Sequence, residues 1–160
     1  MKKLSASFIL ICIPLFIFGC SKTVTNEAEP QQLSAYINIE GNEVQFDEVE
    51  IVTTDDTERI QDLGLTIEND LPSGYHIYNQ TVDVESYQLT DETKYIFTDF
   101  NQLFVDPKVE NRLYETTNKE EFLEGSSYSD VPLEDQKIPY FLEVSNGRVI
   151  SITEKFIYTQ

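Results

Sequence analysis

The chain lacks most of the residues on which familiar chemistries are built. It has no tryptophan, one histidine (His76) and two cysteines, Cys12 and Cys20, and only 11 basic residues stand against 29 acidic ones. A zinc site made from two or three His or Cys ligands is excluded once Cys12 is assigned to a leader and Cys20 to an anchor. A Ser–His–acid triad would have to use His76 as its base. His76 sits in Tyr75-His76-Ile77-Tyr78, on the face opposite Ile77 if that stretch is a strand, where a surface or hydrogen-bonded histidine is expected instead. No glycine-rich phosphate loop is present, so nucleotide chemistry has no support. No run is long enough to span a membrane, which takes about 20 apolar residues.

What the chain does have begins at its first residues. Lys2 and Lys3 give a positive start, Phe8–Phe18 is almost wholly apolar with Pro14 inside it, and Gly19 precedes Cys20. That order is the pattern of a cleaved secretory leader. Ordinary secretion would place a small residue three before the cut as well as one before it. Here Ile17 and Phe18 precede Gly19, so Ile17-Phe18-Gly19-Cys20 is closer to the lipobox of bacterial lipoproteins, in which the cysteine carries the acyl chains. Ordinary secretion ranks second and an uncleaved anchor third. A single chain anchors only marginally at about 0.8 kcal/mol per buried methylene, whereas two or more hold durably. The expected division is a leader over 1–19, a lipidated Cys20 with a flexible tether over 20–33, and one domain over 34–160. A tether of that composition reaches roughly 20 Å.

Without Lys2 and Lys3 the remaining chain keeps nine basic residues against 29 acidic ones, a formal charge of −20. That charge opposes nucleic acid and anionic lipid surfaces and favours solubility, cationic partners or divalent cations. No cysteine remains for a disulfide, so packing must stabilise the domain even in an oxidising setting. The 40% apolar content, with nine tyrosines and no tryptophan, suffices for one modest core.

Alternation over Ala35–Glu40, the Gly41-Asn42 turn and a return strand over Glu43–Thr53 predict a hairpin. Val44 and Phe46 are out of phase with Val49 and Ile51, which a β-bulge at Asp47-Glu48 would produce; cover on both faces is the alternative. Asp55 with Glu58 predicts a short helix that buries Ile60 and Leu63 and ends at Gly64. Leu65–Asp70 reads as a connector. Tyr75–Asn79 and Val82–Leu89 read as a second pair of strands and Lys94–Phe100 as another strand. Leu103–Val109, broken by Pro107, is expected over the core. Thr117 with Glu120 predicts a second helix that buries Phe122 and Leu123 and stops at Gly125. The polar loop from Gly125 to Lys137 reads as the mobile segment. Pro139–Ser145, Asn146-Gly147 and Arg148–Tyr158 form the clearest hairpin, because Asn-Gly suits a type I′ turn. The expected fold is mainly β, a small curled antiparallel sheet or partly open barrel with two short helices.

Gly41-Asn42-Glu43-Val44, Phe46-Asp47-Glu48-Val49-Glu50, Asp55-Asp56-Thr57-Glu58-Arg59-Ile60, Leu63-Gly64-Leu65, Leu89-Thr90-Asp91-Glu92-Thr93-Lys94-Tyr95 and Ser151-Ile152-Thr153-Glu154 carry a resemblance. Across most of 35–158 the chain resembles a group of small, uncharacterised lipoproteins of Gram-positive bacteria. The resemblance implies an extracytoplasmic, membrane-anchored location and transfers no active-site residue.

Three functional readings follow. The first is a non-enzymatic, lipid-anchored module that binds an envelope protein through one face of its sheet, with no cofactor and no nucleic acid. The second is a divalent-cation domain using Asp47, Glu48 and Glu50, Asp55, Asp56 and Glu58, or Asp91 and Glu92; none follows EF-hand spacing, and helix capping accounts for Asp55 and Glu58. The third is a small hydrolase using a carboxylate pair such as Glu48 and Glu50, about 7 Å apart if they share a strand face. The tyrosines are assigned to packing, and the Asn79-Gln80-Thr81 sequon is set aside.

Overall fold

A computed structural model of the chain describes residues 29–110, 112–126 and 133–155. Cys20, the expected leader and the residues after Lys155 lie outside the described residues, as does 127–132, part of the expected mobile loop. The protein is mainly β, and among the described residues no helix is long and apolar enough to cross a membrane.

Among the described residues nine strands run in order: β1 Gln31–Glu40, β2 Glu43–Glu48, β3 Glu50–Thr53, β4 Tyr75–Tyr78, β5 Val84–Gln88, β6 Lys94–Thr98, β7 Leu113–Thr116, β8 Tyr140–Ser145 and β9 Arg148–Glu154. Three short helices join them: α1 Thr57–Asp62, α2 Ile67–Asp70 and α3 Lys119–Gly125. Seven strands form one curled sheet in the order β5-β2-β1-β8-β9-β6-β7, and β3 with β4 forms a separate two-stranded sheet. The curl brings β5 back to β9 at the pair Gln88–Arg148, where the Gln88 N–H donates to the Gly147 carbonyl. The other pairings are antiparallel except β6 with β9, so the sheet is mixed rather than wholly antiparallel.

Both expected hairpins form. Asn146 and Gly147 have φ of 52° and 73°, the two positive angles a type I′ turn requires. Strand β1 starts earlier than its alternation suggested. Leu33 is buried opposite Leu142, so residues 31–33, expected in the tether, belong to β1. No bulge occurs at Asp47-Glu48, because β1 and β2 keep one register from Glu40–Glu43 to Ala35–Glu48. The phase switch instead marks a change of sheet. Val49 donates its N–H to the Ser34 carbonyl at 2.7 Å, and Glu50 then opens the small sheet.

The expected pairing of the two middle strands is also replaced. β4 pairs with β3 and β5 with β2, since both partners offer free edges once the chain has changed sheets. Strand β7 and helix α2 were not expected. In α2, Asp70 Oδ2 accepts from the Thr66 N–H and hydroxyl at 2.7 and 3.0 Å, which stabilises a single turn in a stretch read as connector.

The main core holds the inward positions of β1, β2, β6, β8 and β9 together with Phe122 of α3. Its centre is aromatic: Phe97 meets Phe104, Tyr114 and Phe122 edge-on at 5.7–6.2 Å, and Tyr95 stacks on Phe122 at 5.0 Å. Such pairs add about 0.5–1.5 kcal/mol each beyond the area they bury. Gly125 lies under this cluster, and a Cβ there would overlap the Phe97 ring. Helix α3 is therefore seated by contact, with Gly125 inside the helix and not beyond its end. Leu123 stays 37% exposed, contrary to its expected burial, because Phe122 already faces the sheet. The cap is Asn118, whose side chain accepts from the Glu120 N–H, in place of Thr117.

A second, smaller core of Val52, Ile60 and Leu71 lies in the lobe spanning 50–78. Helix α1 ends as expected: Gly64 has φ of 67°, its N–H bonds the Gln61 carbonyl and the Leu65 N–H bonds that of Ile60. Asp55 does not cap this helix. Asp56 precedes it and reaches back to the Thr53 N–H and hydroxyl at 2.7 and 2.8 Å.

Candidate functional site

The two sheets meet along a cleft of about 580 Å³. Strands β1, β2 and β5 contribute Gln32, Ser34, Phe46, Glu48 and Glu85; the small sheet contributes Glu50, Ile51 and Tyr78; the 79–83 crossing adds Asn79, Gln80, Thr81 and Asp83. The lining follows from the change of sheet at Val49. Where the chain leaves the main sheet, β2 stops pairing with β1, and the lobe that follows forms the opposite side.

Asp47 fixes the crossing. Its carboxylate accepts from Asn79 Nδ2 at 2.7 Å and from the Asp83 N–H at 3.1 Å, which ties 79–83 to the edge of β2. Glu50 is held differently. Arg59 donates to both of its oxygens, at 2.8 and 2.7 Å, and those hydrogen bonds lower the Glu50 pKa. Glu48, Asp83 and Glu85 have no basic partner among the described residues, whose ion pairs are Arg59–Glu50 and Lys94–Glu115. The cleft thus joins uncompensated negative charge to amide and hydroxyl groups and one face of Tyr78. This donor and acceptor set suits a ligand that carries positive charge and hydrogen-bonding groups.

Glu48 and Glu50 do meet at one place, though not on one strand face. They belong to different sheets on either side of Val49 and share only the cleft. Asp55, Asp56 and Glu58 stay on the outside of α1, and the Thr53 bonds to Asp56 lower its pKa without any ion. Asp91 and Glu92 lie in the turn before β6, exposed. Among the described residues no three His, Cys, Asp or Glu side chains stand together so as to hold a metal ion. His76 is part-buried on β4, with Nδ1 3.3 Å from the Asp70 carbonyl oxygen. A larger hollow of about 790 Å³ lies between Glu29-Pro30 and the Asn146 turn. It is bounded mainly by turns and holds fewer charged groups.

Sequence reasoning passed over two buried acids and one lysine. Asp99 is fully buried; Glu154 is 2% exposed. The inward phase of Ile152 on β9 was the available signal for Glu154, two residues on. Lys155 Nζ stands between the rings of Tyr75 and Phe141, at 5.5 and 5.3 Å, and burial lowers its pKa. This contact fastens the far end of the small sheet to the outer face of the main one.

Comparison with family models, with curated proteins and with solved structures gives no match to this chain.

Proposed function

We propose that the protein is a lipid-tethered, extracytoplasmic binding module of the cell envelope, anchored through Cys20, without enzymatic activity, and receiving a cationic segment of an envelope protein in the cleft between its sheets. The observation that carries the ligand is the lining of that cleft, with Glu48, Asp83 and Glu85 lacking basic partners among the described residues, beside Gln32, Asn79 and Gln80. The leader order and the Ile17-Phe18-Gly19-Cys20 motif support the anchor. Gln32 follows Cys20 by 12 positions. A flexible chain of that length spans roughly 20 Å, so an anchor at Cys20 would keep the cleft close to the headgroups.

Each half has its own test. Cys20→Ser should abolish acyl labelling and release the protein from the membrane fraction; unchanged retention with no change in label would reject the anchor. Crosslinking in intact envelopes should capture a protein with the wild type and lose it with Glu48→Lys/Glu85→Lys. Equal capture by both would reject the cleft. Heat and stabilisation on adding calcium would instead move the assignment to a cation-binding domain.

A further inference from the structure

The main sheet buries two carboxyl groups and treats them in opposite ways. Burial alone would raise the pKa of Asp99, but the N–H groups of Phe104, Leu103 and Val105, at 2.7, 2.9 and 2.8 Å, outweigh it with help from Arg112 and bring the pKa below the usual range. Asp99 is thus an ionised group with its hydrogen bonds met, organising the loop after β6.

Glu154 has no such shell. It is paired across the sheet with Tyr140, and both side chains point into the core at 2% and 1% exposure. Among the described residues its one hydrogen bond comes from the Thr98 N–H, at 3.4 Å. Among the described residues the buried Thr98 hydroxyl has no hydrogen-bond partner, and the buried Tyr140 hydroxyl has only Ser126 beside it. The groups facing it come from three elements. Strand β8 presents the Tyr140 phenol, β6 presents Thr98, and the end of α3 presents Ser126 towards Tyr140, its own hydroxyl donated to the Phe122 carbonyl at 2.5 Å. Lys155, next in the chain, turns to the opposite face against Tyr75 and Phe141. Among the described residues no Lys, Arg or His pairs with Glu154. An ion buried this way is costly, and the neutral acid is the form the site accommodates.

We propose that Glu154 is a proton-operated catch in the core: protonated, it keeps the far end of β8–β9 packed beneath α3, and on ionising it loosens that end of the sheet. The catch reaches α3 through Tyr140, whose ring meets Phe122 edge-on at 6.0 Å. It depends neither on the cleft nor on the anchor.

Burial carries the Glu154 pKa from its ordinary 4.5 up to about 7. An acid whose folded-state pKa is raised holds a proton that the unfolded chain has already released. Its contribution to stability is therefore complete below pH 4.5 and is lost as the pH rises through about 7.

The test is denaturant unfolding of the full chain in detergent across this pH window. The folding equilibrium constant should fall on the order of a hundredfold between mildly acidic and mildly alkaline pH, tenfold for each pH unit between the two pKa values. Glu154→Gln, neutral at every pH, should remove that fall. As a control, His76→Asn, at the sequence's one histidine, should leave the fall in place. Infrared difference spectra of the wild type should show a protonated carboxyl at pH 6 that disappears by pH 8, a readout that holds even if Glu154→Gln does not fold. A flat wild-type profile, a fall that persists in Glu154→Gln, or no protonated carboxyl at pH 6 would each overturn the proposal.

Discussion

The main sheet and the lobe over 50–78 are stabilised by different means. Among the described residues the core of the main sheet, with Leu89 and with Phe122 of α3, holds fourteen buried apolar side chains in one cluster, so its strands hold one another across long stretches of sequence. The lobe buries three, Val52, Ile60 and Leu71, and relies on short-range bonds: Asp56 to Thr53, Asp70 to Thr66, and Arg59 to Glu50 with the guanidinium 5.3 Å from the Tyr78 ring. Few buried contacts and many local hydrogen bonds describe a unit that opens at lower free energy than the rest. That unit forms one side of the cleft. A ligand held between the two sheets would therefore stabilise the lobe more than the main sheet.

The largest test of this contrast is Phe97→Ala. Phe97 is fully buried and touches Phe104, Tyr114 and Phe122. Its loss should cost about 3–5 kcal/mol and be seen in denaturant unfolding of the whole domain. Next comes Ile60→Ala, with an expected cost of about 2 kcal/mol or more. Hydrogen exchange should quicken over 50–78 and stay slow in β1 and β8. Equal quickening in both regions would show the two cores to be one cooperative unit. The smallest effect belongs to Glu50→Gln. Glu50 and Arg59 are each about two-fifths exposed, so the loss in melting temperature should be less than either of the others and should shrink with added salt.

Signals that act over a few residues were legible. The Asn146-Gly147 and Gly41-Asn42 turns, the Gly64 helix end, the alternation over Ala35–Glu40 and the shared phase of Val44 and Phe46 could all be read from the chain. Pairing between distant stretches could not. Tyr75–Tyr78 and Val84–Gln88 carry equally good strand patterns, and nothing local says that each pairs with an earlier strand instead of with its neighbour. The parallel contact of β6 with β9 joins Lys94 to Ser151 and has no turn to announce it. Strand β7 was missed because Leu113–Thr116 is short and its apolar positions half-exposed. The cleft was out of reach for the same reason. Its carboxylates come from positions 48 to 85, and their meeting depends on the change of sheet at Val49, which the sequence shows only as a break in phase.

By itself the sequence determined a mainly β domain, its two tight hairpins, its strong negative charge and the leader-like start that ends at Cys20. Backbone preferences at Gly and Asn, alternation and net charge are properties of neighbouring residues or of their sum. The tertiary structure alone decided that Glu48 and Glu85 face the lobe across a common cleft, that Asp99 gathers three backbone donors and that Glu154 is left with one. A carboxyl group's state depends on which distant groups surround it and how much water they exclude, and only the folded chain brings those groups together.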